Sequence, residues 1–435
     1  MPEDETPSGP GTGGTPGPGP DPATPSPSPA GGGAGAPGSD VTGMAAAVGS
    51  AAAGAPPVLS RKDLRQKRAK DGKASSRSWW YVLGGVALVL IGVVIAYVAT
   101  RNTTPKVTKV ALATTATVPP KLGPICPLTG LPAPGGVVPA RPALGIKIGN
   151  YPGDRPSAGL NQADIVFEEP VEGAITRLLA VFQCQGAALV GDLRSTREPD
   201  VGILSQLSDP MFVHAGGIDP ILNLLAQAPL QDDNLYSGDR GSVIITEQNR
   251  VAPYATFVNT ASLWAFNPAD KTPPAPIFHY SAALPRGAVA GSGQSVHIPF
   301  SSVSDVTWQW NPTRGYQRYY SGQPDILVDR TQTTATNVVI MTVQTSNGPW
   351  VENSEGGLEV QVQSTGTGPL LVMRGGAAIA GTWSRSTLTQ PATLTSTGGA
   401  PITLQPGNTW VELVPTGIPV TPTAAPAAGT TTTAP

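Results

Sequence analysis

Two runs, Asp164-Ile-Val-Phe-Glu168 and Arg177-Leu-Leu-Ala-Val-Phe-Gln-Cys184, decide how the chain folds. Each is short, apolar and rich in Ile, Val, Leu and Phe, and each reads as a β-strand. Working outward, Ala143-Leu-Gly-Ile-Lys-Ile-Gly149 alternates as a strand does, and Ala188-Leu-Val190 follows the same reading. Met211-Phe-Val-His214 and Ser242-Val-Ile-Ile-Thr246 read as buried strands. Helices fall between them. Val201, Leu204 and Leu207 share one face after Pro199, and Asp219-Pro220 starts a second helix, with Asp as the cap and Pro in the first turn. Pro229 ends that helix. Strands alternating with short helices make residues 125–270 an α/β domain.

Residues 275–415 have a different texture. Short alternating runs separated by Gly, Pro, Ser and Asn turns include Ser295–Phe300, Val303–Trp310, Asn337–Val343, Leu358–Val362, Leu370–Met373, Ile402–Leu404 and Thr409–Leu413. This is the pattern of a β-rich sandwich or barrel-like domain. The four prolines of Asn267–Pro276 mark a hinge. The expected fold class is therefore α+β: an α/β domain followed by a mainly β domain.

Upstream, Trp79–Ala99 is apolar and carries no charge, and a helix of that length is about 30 Å long, enough to cross a bilayer. Trp79, Trp80, Tyr81 and Tyr97 suit its two interfaces. The segment 61–78 carries eight Lys and Arg against Asp63 and Asp71, which places the N-terminus in the cytoplasm and the C-terminal domains outside. Residues 1–60, made largely of Gly, Pro, Ala, Ser and Thr, read as a disordered cytoplasmic tail. Residues 100–124 read as an extracytoplasmic stalk, and 416–435 as a second disordered tail. The formal net charge of the 435 residues is −2, with no basic footprint for nucleic acid in the outer part. Cys126 and Cys184 are the only two cysteines, and an even pair outside the cytoplasm fits one disulfide, with two separate buried thiols as the alternative. These cysteines and the scattered His214, His279 and His297 show no metal-ligand spacing, and no cofactor is expected.

Several segments now carry a resemblance. They are Cys126-Pro-Leu-Thr-Gly-Leu131, the long run from Asn161 to Phe182, Gly191-Asp-Leu-Arg-Ser-Thr-Arg197 and Phe212-Val-His-Ala-Gly-Gly217. In the second half they are Tyr316-Gln-Arg318, Asn337-Val-Val-Ile340, Gly381-Thr-Trp-Ser-Arg385 and Pro406–Pro415. In unbroken order over nearly all of 125–415, the chain resembles the YerB-like lipoprotein family, domain of unknown function 3048. The resemblance implies paired N- and C-terminal domains on the outer face of a membrane and no known reaction. The chain departs from the family pattern in two places. No lipobox precedes either cysteine, so the apolar stretch takes the place of a lipid anchor, and Ala252-Pro-Tyr-Ala255 stands where the family often has Ala-Pro-His-Asn.

The candidate site follows from the strand ends. Glu168, Glu169 and Glu172 follow one strand and Arg177 opens the next. Arg194 and Arg197 precede the Pro199 helix, and His214 ends another strand before Gly216-Gly217. Ligands of α/β sheets bind beside such ends, so Arg194, Arg197, Glu172 and His214 are expected near one another. Paired carboxylates can supply an acid and a base, and two arginines can clamp a carboxylate or phosphate. Equally, these acids and arginines can neutralise one another in a buried network, with His214 satisfying a backbone carbonyl. Trp308, Trp310, Trp383 and Trp410 are either β-domain core or a sugar-stacking face. No nucleophile elbow, Ser-x-x-Lys, Walker loop or His-Glu-x-x-His occurs. The expected function is an integral membrane protein of the cell envelope that binds a wall polymer or a partner protein without catalysis. The alternative is a wall-active hydrolase or transferase using cleft carboxylates.

Overall fold

The computed structural model describes residues 88–97, 123–238 and 240–425. Residues 88–97 form a helix whose apolar side chains, among them Leu90, Ile91, Val94 and Ile95, are exposed. Among the described residues no helix is long and apolar enough to cross a membrane. The rest of the expected span 79–99 lies outside them, as do the expected tail 1–60, the basic segment 61–78 and most of the stalk.

The fold from residue 123 onward is built on one mixed sheet of eleven strands. From one edge its order is Thr393–Ser396, Ala377–Arg385, Gly366–Arg374, Asn337–Val343, Thr409–Pro415, Ile165–Pro170, Thr176–Phe182, Leu144–Gly149, Met211–His214 and Gln231–Asn234. Val289–Ala290 pairs beside Ala377. The sheet runs through both halves of the sequence. Its central strand, Thr409–Pro415, lies parallel to Asn337–Val343 on one side and to Ile165–Pro170 on the other. Six of its seven residues are buried, because Trp410 and Val414 face one core while Val411 and Leu413 face the other.

On the first face a six-stranded sheet packs, formed mainly by Ser295–Pro299, Asp305–Asn311 and Gly315–Tyr320. Its Val296, Ile298, Val306, Trp308 and Tyr316 interdigitate with Ile146, Val166, Ala180 and Trp410. Trp308 and Trp410 meet edge to face at 5.1 Å, a favoured aromatic geometry. Trp308, Trp383 and Trp410 are buried and Trp310 is half-buried, so these four belong to the packed interior and form no sugar-stacking face. On the second face lie the helices Glu198–Leu204 and Asp219–Leu225 and the hairpin Thr345–Val351/Leu358–Val362, packed through Ile203, Leu204, Leu225 and Val362.

Several expectations change. Among the described residues between 123 and 273 only three short α-helices occur, so this region is β-rich rather than a regular alternation of strand and helix. Ser242–Thr246 is a 3-10 turn followed by the two-residue strand Ile245–Thr246, and Val243, Ile244 and Ile245 are only half-buried. Ile402–Leu404 forms no strand, and only Leu404 makes an isolated bridge, to Tyr280. Asp219 sits inside its helix with Ile218 at the cap position, and that helix ends at Leu225, before Pro229. Within the expected tail 416–435, the described residues 416–425 supply a strand, Thr421–Thr423, that pairs with Ser295–His297, and the rest lies outside the described residues. Cys126 and Cys184 form a disulfide, with Cα atoms 5.9 Å apart, that ties the entry of the chain to the end of the Thr176–Phe182 strand.

Candidate functional site

Strand alternation divides the candidate carboxylates. Glu168 and Glu169 are consecutive, so they point to opposite faces of the sheet. Glu169 faces the helix side together with Lys147 and Arg177. Lys147 is fully buried between Glu169, which it pairs directly, and Asp200 at 2.8 Å. Asp200 also accepts from the Arg197 amide at 2.8 Å and the Thr196 hydroxyl at 3.0 Å, closing the start of the Glu198–Leu204 helix. Burial pushes the Glu169 carboxyl up to about 8, with the Asp200 charge adding to the rise and Lys147 opposing it.

Glu172 sits on the 3-10 turn between the two decisive strands. Arg197 donates from Nε to its Oε2 at 2.8 Å and pairs with its other oxygen as well, the bidentate fork that guanidinium geometry favours. Arg177 approaches Glu172 at 3.5 Å and donates to the Ser195 carbonyl at 2.7 Å. Burial alone would raise the Glu172 carboxyl, but the Arg197 hydrogen bond and charge, joined by Arg177, overcome it and hold Glu172 at about 2. Arg197 Nη1 also donates to the Thr196 carbonyl at 2.7 Å and meets Glu352 of the hairpin at 3.2 Å.

On the opposite face Glu168 accepts from Arg318 at 2.6 Å, Thr176 at 2.7 Å and Asn150 at 2.9 Å. Glu412 stands in register beside it and accepts from Trp308 Nε1 at 2.7 Å. Burial and the Glu168 charge push Glu412 well above the usual carboxylate range, against the pull of Arg318. Arg318 bonds Asp325 at 2.7 Å, and Arg155, stacked over the Tyr320 ring, pairs with Asp325 as well.

The remaining candidates have partners of their own. Arg194 donates to Asp154 at 2.9 Å and meets Asp192 at 3.3 Å, with Tyr254 below it. His214 is buried, with Nδ1 against the Gly216 carbonyl at 2.8 Å and Nε2 against Asp232 at 2.7 Å. Of the four residues expected together, Glu172 and Arg197 are in contact. Arg194 is held by Asp154 and Asp192, and His214 by Gly216 and Asp232. Lys147, Asp200, Arg318, Asp325, Glu352 and Glu412 complete the clusters and were missed from sequence. A lysine inside Leu144-Gly-Ile-Lys-Ile-Gly149 and a glutamate inside Trp410-Val-Glu-Leu-Val414 were the available signals, since a charge in a buried strand requires a partner.

None of the seven candidates lines either of two open pockets among the described residues. One, of about 550 Å³, lies among Cys126, Pro273, Pro274, Phe278 and Tyr280. Another, of about 520 Å³, lies among Arg155, Tyr320, Asp325 and Arg330. Among the described residues no group of three or more His, Cys, Asp or Glu is placed to hold a metal ion.

The models of the DUF3048 N-terminal and C-terminal domains, both of unknown function, match residues 128–273 and 296–411. The chain belongs to the DUF3048 family. It is 48% identical over 90 residues to the Bacillus subtilis (strain 168) protein named "Putative lipoprotein YerB". That match covers 21% of this chain and 27% of the relative, so the chain spans about a quarter of the curated relative's length. The crystal structure of Bacillus subtilis YerB superposes with a TM-score of 0.59 at 22% identity, covering 68% of this chain and 99% of the other, which shows a shared fold.

Removing one member of a buried, bidentate pair leaves the other charge uncompensated. Arg197→Ala is expected to lower unfolding stability by about 3–5 kcal/mol in urea titrations at neutral pH. Because Glu172 titrates lower in the folded state than its ordinary 4.5, its contribution is complete above that value and is lost as pH falls toward about 2. The gap between variant and wild type should therefore narrow in acid.

Proposed function

We propose that this protein is a non-catalytic binding protein of the bacterial cell envelope, held to the membrane by residues 79–99 with its folded part outside. The observation that carries the non-catalytic reading is the state of the candidate acids and bases. Glu168, Glu169, Glu172 and Arg197 are buried, and each is engaged by charges of the same chain. A general acid or base has to reach its substrate directly or through one water. The envelope setting is supported by the lipoprotein name of the Bacillus subtilis relative and by the uncharged apolar stretch behind a basic segment. The partner class is a wall polymer or another envelope protein. The alternative, a wall-active hydrolase or transferase, needs two solvent-reachable carboxylates in one cleft.

A reporter active only outside the cytoplasm, fused after Pro415, is expected to be active. Activity of a cytoplasm-only reporter at that position would contradict the orientation.

Residues 112–435 are expected to co-sediment with purified wall sacculi or with a solubilised envelope protein, and to release no soluble wall fragments on prolonged incubation. Release of fragments would favour the hydrolase reading.

A further inference from the structure

Among the described residues the hairpin Thr345–Val351/Leu358–Val362 forms a sheet with no third strand. No ladder of a third strand therefore holds it to the domain. Val362 and the half-buried Val360 pack against the core, and the polar part of the attachment is made by acids. Glu352 reaches Arg197, Glu359 accepts the Glu198 amide at 2.8 Å, and the Val362 amide approaches the Glu198 carboxylate at 3.4 Å. Glu359 is fully buried, and the Glu352 carboxyl lies within hydrogen-bonding reach of it. Glu352 Oε1 and Glu359 Oε2 are both buried with no N–H or hydroxyl donor. Two carboxyl groups in contact without a donor between them are satisfied when one carries a proton, because two carboxylates at that distance repel.

The surrounding charges do not remove this need. From the helix side Arg197 faces the pair, but Glu172 already takes two of its nitrogens. Arg177, behind Glu172, is itself close to Glu172 and Arg197. Glu198 adds a third acid facing Glu359, with Asp200 beyond it already paired to Lys147. Four acids, Glu172, Glu198, Glu352 and Glu359, thus share two arginines.

We propose that the hairpin is a proton-locked flap: it stays docked while the Glu352–Glu359 pair holds a proton, and loss of that proton releases it and uncovers Arg197 and Glu172. Burial, followed by the contact with Glu352, pushes Glu359 up to about 8, and burial pushes Glu198 up to about 7. An acid that titrates higher docked than free binds its proton on docking. Docking is then strongest below the ordinary 4.5 and weakens as pH rises to about 8, by at most about tenfold per pH unit for each proton.

The test is amide hydrogen exchange of the full-length protein at about pH 6 and about pH 8.5, with exposure times scaled for the chemical exchange rate. The expected result is at least a tenfold loss of protection in 345–362 at the higher pH, with the central strand 409–415 unchanged. Glu359→Gln, which keeps a donor at any pH, should reduce the difference to the share that Glu198 contributes, and Glu352→Gln provides the same check from the other side. Equal hairpin protection at both pH values in the wild type would overturn the proposal. So would an unchanged pH dependence in both variants, or joint loss of protection in the hairpin and the central strand.

Discussion

The parallel pairing of Thr409–Pro415 on both its edges is the constraint on which the rest of the structure depends. This strand arrives last among those of the large sheet, yet it lies at its centre, between strands from the first and second halves of the chain. A parallel ladder is built only from segments joined by a crossover, so both of its ladders are long-range contacts. Without it Ile165–Pro170 and Asn337–Val343 would each expose an unpaired, apolar edge. The two family domains are thus distinct stretches of sequence that share one sheet and both cores.

That shared sheet also explains the buried charges. Glu168 from the first half and Glu412 from the second are register partners, and Arg318 from the six-stranded sheet answers them from the facing layer. Arg155 and Asp325 extend the chain of pairs toward the surface. On the other face Lys147, Glu169, Asp200, Glu172 and Arg197 fix the Glu198–Leu204 helix and, through Glu352, the hairpin. Such pairs add little net stability over apolar side chains of the same shape, but breaking one costs several kcal/mol, so they specify how the layers meet.

Much of this was legible where a single segment carries its own signal. Met211–His214, Asn337–Val343 and Leu358–Val362 follow from their apolar and alternating patterns with the observed bounds. Gly315–Tyr320 and Ala377–Arg385 did not, because Gly, Gln, Thr, Ser and Arg interrupt the apolar pattern and only the partner strands decide the pairing. Ser242–Thr246 was overread because its apolar run is only half-buried and pairs over just two residues. The acids and arginines of the candidate site were visible as residue types. Their division between two faces comes from alternation at Glu168 and Glu169, whereas partners such as Arg318 for Glu168 lie 150 residues away, a distance no local pattern encodes.

The most direct measurement is the unfolding of a chain truncated after Asn408, which removes the central strand together with residues 416–435. If both halves depend on that strand, the truncated protein should show no cooperative urea transition by near-ultraviolet circular dichroism, and residues 123–273 should be degraded rapidly by protease. A truncated chain that kept a cooperative transition, with 123–273 protected as in the intact protein, would contradict the shared-sheet dependence.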